Sequence, residues 1–204
     1  MFKAHALLVV ALLSIGGSPS SGEAVARAMV EVEVETSPIA IEAATPEQEA
    51  MVEWALARFA EAGLELPPMT ITFSPSTAGC RGFIGYYSRA ASQLDICNAG
   101  GLRTEPIHTV IHELAHAWSF AQLPSEDRQR WSQHRGLDSW HDDTVAWWQQ
   151  GKEQAAEVVA WGLMSDTEPF SNRWVMSEQC EDLAVSFRLL TGIDPLNTAN
   201  HSCR

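Results

Sequence analysis

The sequence predicts an α+β domain, and three observations carry that expectation. A capped helix start stands at Thr45-Pro46-Glu47, a β-branched run follows at Met69-Thr70-Ile71-Thr72-Phe73, and helical apolar spacing dominates after Thr104. In the first helix Thr is the N-cap, Pro takes the first helical position, and acids lie in the first turn. Met51, Trp54, Ala55, Leu56 and Phe59 continue its apolar face until Gly63. Pro67-Pro68 separates it from the Met69–Phe73 strand. Residues 79–87 and 93–97 read as two more short strands, a hairpin. Thr104-Glu105-Pro106 opens a helix with Ile107, Val110, Ile111 and Leu114 inward. Further helices are expected at 126–134, 142–150, 153–164 and 177–190. No internal repeat or linker breaks this span, so 45–204 is expected to be one domain, with helix and small sheet followed by helices.

Twenty-six acidic residues face 13 basic ones. That balance argues against nucleic acid and anionic membranes as partners. Lys3 precedes an apolar stretch from Ala4 to Ile15, and Ala24-Val25-Ala26 offers a small-residue cleavage site. Residues 1–24 are therefore expected to be a secretory signal peptide, with an apolar run too short to span a bilayer. Residues 25–44, which alternate at Val30-Glu31-Val32-Glu33-Val34-Glu35, form a leader or an N-terminal strand. The mature chain has no expected membrane span and is placed outside the cytoplasm. Its four cysteines are even in number and lack C-x-x-C spacing. They are expected to form the local disulfides Cys80–Cys97 and Cys180–Cys203.

The chemistry centres on His112-Glu113-Leu114-Ala115-His116. Residues four apart on a helix share a face, so two imidazoles reach one metal ion, and zinc is the usual occupant of such a pair. Glu113 lies about 100° round the helix from His112 and stands beside the ion rather than on it. There it can take a proton from an activated water as general base. A core helix burying these three polar groups without a function would strand them.

A catalytic site still lacks one protein ligand. The metzincin completion needs a glycine and a third histidine after the motif, but Ser119 and Gln122 stand at those positions. A carboxylate from Glu153 or Glu157 is the other route. These two are four apart, and like charges on one face repel unless a cation lies between them. One would bind the ion and the other hold a ligand imidazole. For Glu153, a solvated position paired with Lys152 is the competing reading.

The helix motif together with Glu153-Gln154-Ala155-Ala156-Glu157 resembles the gluzincin metallopeptidases, particularly the lethal-factor-like pattern and more loosely thermolysin-like enzymes. The resemblance spans about residues 105–165. It implies a compact zincin-like fold, one zinc ion, Glu153 as third ligand, and Glu157 as support for His112 or His116. It also implies an edge strand lying over the active helix to pair with an extended substrate, and Gln93–Cys97 is expected to be that strand. Lethal-factor-like enzymes carry a tyrosine shortly before the ligand glutamate; here the only tyrosines are Tyr86 and Tyr87. His141 or His134 could serve instead as the transition-state stabiliser. Most of the tryptophans read as core, but Trp147 and Trp148 cannot both face inward, so one is expected at a cleft or interface.

The expected activity is that of a secreted zinc metallopeptidase acting on a peptide or protein substrate. A zinc hydrolase of a non-peptide or cell-wall amide would use the same residues. A zinc-stabilised binding module without turnover is the third reading, and it leaves Glu113 unexplained.

Overall fold

The computed structural model describes residues 39–97, 106–142, 144–164 and 180–196. The signal peptide, most of the leader, Thr104, Trp174 and Cys203 lie outside the described residues. Within them helices pack on a small mixed sheet, an α+β domain.

Strand β1 is Ala40–Glu42 and helix α1 is Pro46–Glu61. Thr45 caps α1 reciprocally: the Gln48 N–H donates to Thr45 Oγ1, and the Thr45 N–H donates to Gln48 Oε1. Gly63 takes a φ of 67°, which lets the chain turn out of the helix. Strand β2 is Thr70–Ser74, β3 is Gly85–Ser88 and β4 is Gln93–Cys97. The sheet order is β1-β2-β4-β3, with β1, β2 and β4 parallel and β3 antiparallel to β4. The C-terminal part of the expected leader is thus built into the sheet as β1. Tertiary pairing, which no local pattern announces, puts it there.

Two expectations change. Gln93–Cys97 is an interior strand, since Leu94, Ile96 and Cys97 are buried and both neighbours are paired; the edge strand beside the helices is β3. Among the described residues of 142–150 no α-helix forms. Asp142 Oδ1 accepts from the Thr144 N–H and hydroxyl at 2.8 and 2.6 Å, a turn that competes with helical bonding, and only a single 3₁₀ turn forms at Trp147–Gln149.

Helix α2 is Pro106–Gln122, α3 is Ser125–His134, α4 is Gly151–Leu163 and α5 is Cys180–Thr191. From Thr109 to Ser119 every residue of α2 is buried, and so is every residue of α4 from Glu153 onward. Helices buried all round form the centre of a domain, not its surface. They pack against each other, with the sheet on one side of α2 and α5 against α4. Arg58 reaches from α1 to cap α4, its Nε donating to the Leu163 carbonyl at 2.7 Å. The Trp131 indole N–H donates to the Ser186 carbonyl, tying α3 to α5. Trp118, Trp131 and Trp161 are core, as expected.

The disulfide Cys80–Cys97 joins the loop before β3 to the end of β4. Cys180 is also disulfide-bonded. No helix among the described residues is long and apolar enough to cross a membrane.

Close approach of α4 to α5 depends on Gly162. A Cβ there would run into the ring of Phe187, which is fully buried and has nowhere to move. Gly162→Ala is expected to destabilise the fold by about 1–3 kcal/mol through overpacking, read as a lower denaturation midpoint at unchanged slope.

Candidate metal centre

The centre lies where α2 meets α4. Helix α2 presents His108, His112 and His116 at successive four-residue steps, which stack along one face. Helix α4 presents Glu153 and Glu157 in the same way. His112, Glu113, His116, Glu153 and Glu157 are all buried, at 4–7% relative exposure. Glu153 is therefore not a solvated surface residue, and the sequence reading that paired it with Lys152 in water gives way. Lys152 does approach it, with Nζ 3.7 Å from Oε1, but as part of the site wall.

Three atoms converge. His116 Nε2 is 3.1 Å from His112 Nε2 and 3.0 Å from Glu153 Oε2, and His112 Nε2 is 3.3 Å from that same oxygen. Ligands about 2.1 Å from a shared ion at tetrahedral corners lie about 3.4 Å apart, close to this triangle. Hydrogen bonding among themselves serves the trio poorly. Two ring nitrogens and one carboxylate oxygen compete for protons within a single small space, whereas one cation satisfies all three lone pairs. The donor set fits a metal ion.

The charges point the same way. Burial alone would push the Glu153 and Glu157 carboxyls up. Nearby imidazoles outweigh it and hold both well below the usual carboxylate range, His116 chiefly for Glu153 and His108 for Glu157. Burial would likewise push His112 down, yet Glu157, followed by Glu153 and Glu113, raises it well above its ordinary value. The cluster thus favours positive charge at its centre, which a metal ion or a protonated imidazole would supply.

Outside the trio, Glu157 Oε1 stands 3.2 Å from His112 Nδ1. That contact orients the ring and leaves its Nε2 facing the trio. The other oxygen of Glu157 is 2.8 Å from His108 Nε2. The ring of Trp147 stacks on the His112 ring, with centroids 5.8 Å apart. His116 Nδ1 finds no hydrogen-bond partner among the described residues.

Glu113 sits outside the ligand triangle, held from strand β3. The Tyr87 backbone N–H donates to its carboxylate, and a Cβ at Gly85 would stand 2.5 Å from its Oε1. Only glycine lets the strand come this close. Burial raises the Glu113 carboxyl above its ordinary range, against the pull of His116 and His112. A carboxylate so placed beside a candidate metal site is within reach to accept a proton.

A cavity of about 440 Å³ opens onto this cluster. Phe83, Tyr86, Tyr87, Phe120 and Trp147 give it an aromatic wall, and Arg81, His141 and Lys152 bring polar or charged groups to it. His141 thus reaches the cavity. His134 does not line it; it stands at the end of α3 with Nε2 3.4 Å from Ser186 Oγ. Of the tryptophan pair, Trp147 lines the cavity and Trp148 is half exposed.

Sequence reasoning missed three participants. His108 carries a readable signal, being four residues before His112, but the five-residue motif draws attention away from it. Lys152 adjoins a candidate ligand, but its sequence position points only to a pairing in solvent. Gly85 has no local signal, since its role comes from strand order. No family model matches the chain, and neither a curated protein nor a solved structure matches it.

Proposed function

We propose that the chain is a zinc-dependent hydrolase of peptide bonds, working outside the cytoplasm. The observation that carries this reading is the buried triangle of His112, His116 and Glu153 with Glu113 beside it but not part of it. A structural site would close its shell with a fourth protein ligand and would need no adjacent base. Zinc bound there would bring a water's pKa toward neutrality and polarise a scissile carbonyl.

The chain's own residues supply the rest. Glu113 accepts the proton of the attacking water and returns it to the leaving nitrogen, and its contacts with Tyr87 and Gly85 fix the direction of that transfer. Glu157 holds the His112 ring. Lys152 neutralises the outer oxygen of Glu153, so that Oε2 faces inward. His141 on the cavity wall is the candidate donor to the developing oxyanion. The outer rim of β3, unpaired within the sheet, offers backbone groups to an extended peptide. The Cys80–Cys97 bridge supports an oxidising compartment, in keeping with the export signal expected at 1–24.

Metal analysis of the purified chain tests the reading, followed by digestion of a peptide library with and without chelator. The expected result is one zinc per chain and cleavage that chelator abolishes and zinc restores. Absence of bound metal after purification in zinc would overturn the metal centre. Full zinc occupancy with an uncut library and cleavage of a cell-wall amide would move the substrate away from peptides.

A further inference from the structure

The three histidines of α2 are not equivalent, and the first has no place in the ligand triangle. His108 Nε2 is 2.8 Å from Glu157 Oε2, while Glu157 Oε1 is 3.2 Å from His112 Nδ1. One carboxylate therefore spans two imidazoles one helical turn apart. A carboxylate held by a single partner can still swivel about its own axis; held at both oxygens by two rings on one rigid helix, it cannot. We propose that His108 is a positioning residue for the metal centre, acting through Glu157 to lock the orientation of the His112 ring.

Burial fits this role. The Glu157 side chain is 5% exposed and that of His108 is 23% exposed, so His108 closes the buried cluster at the cavity wall. A rival arrangement would place a second ion among His108, His112 and Glu157, whose donor atoms also lie close together. That would strip the proton from His112 Nδ1 while its Nε2 serves the first site, making one imidazole ligate on both sides. A proton kept on His112 Nδ1, facing Glu157 Oε1 at 3.2 Å, needs no such deprotonation and leaves one ion per chain.

The proposal rests on the metal reading above, and the test separates the two. Full-length chain is prepared as wild type, His108→Gln, which keeps an N–H for Glu157, and His108→Phe, which keeps a ring but no donor. Each is loaded with cobalt(II), titrated with a competing chelator, and its visible spectrum recorded. The expected result is a 10–100-fold weaker metal affinity and an altered cobalt spectrum for His108→Phe, both largely restored in His108→Gln. A role in packing alone would give the reverse order, with Phe retaining and Gln losing affinity, and would overturn the proposal. So would wild-type affinity and spectrum in both variants. If wild type itself binds no cobalt or zinc, the metal centre falls and the role of His108 falls with it. A His108→Phe chain that fails to fold is replaced by Glu157→Gln, for which the same loss of affinity is expected; undiminished affinity there overturns the relay.

Discussion

Replacing Glu113 by glutamine is expected to leave zinc in place and lower turnover by about 10²–10⁴-fold, the usual contribution of a positioned general base. In barrier terms that is about 3–5 kcal/mol. The substitution is close to isosteric, so the spacing to Gly85 survives and the amide oxygen still accepts from the Tyr87 N–H. Glu113 contributes no atom to the triangle of ligands, which is why metal content should be unchanged. Paired measurements of zinc stoichiometry and kcat on one preparation check this. A glutamine variant with wild-type turnover would remove Glu113 from the chemistry. A variant that loses zinc would show that the carboxylate supports the site rather than acting beside it.

Glu153→Ala is expected to have the largest effect on the metal itself. Removing a partner that only orients a ligand costs about 10–100-fold in affinity, and loss of a ligand should exceed that range, costing more than about 2.8 kcal/mol in all. The substitution also leaves Lys152 without the carboxylate it approaches and opens the triangle to two ring nitrogens alone. Exhaustive dialysis followed by metal analysis reads the effect directly. Full stoichiometry after dialysis would place the third ligand elsewhere in the cavity.

Features of this site that depend on one helix were legible in the sequence. His112, Glu113 and His116 announce themselves because helical geometry alone fixes their relation, and the apolar residues around them mark the helix as buried. Glu153 and Glu157 were legible as a pair for the same reason. Relations between elements were harder to read. Strand order decides that Gly85 of β3, rather than any residue of β4, stands against Glu113, and strand order rests on long-range pairing. The stretch at 142–150 misled because its composition allows a helix while one side chain, Asp142, bonds its own backbone into a turn. His108 shows a third kind of failure. Its spacing was visible, but its purpose becomes visible only when Glu157 is brought across from α4.

The packing of α2 against α4 has a consequence for how the chain comes to be folded at all. Six ionisable side chains meet between two helices that have almost no solvent on any side, and five of them are buried. An ion at their centre would act as a folding ligand as well as a cofactor. At a free zinc concentration 1,000-fold above Kd, mass action alone adds about 4.1 kcal/mol to the native state, comparable with the 5–15 kcal/mol that holds a typical domain together. Chelator is therefore expected to lower the melting temperature as well as stop turnover, and readded zinc to raise it again in a concentration-dependent way, seen by scanning calorimetry. The supply of metal where this chain matures would then set how much of it survives as folded protein.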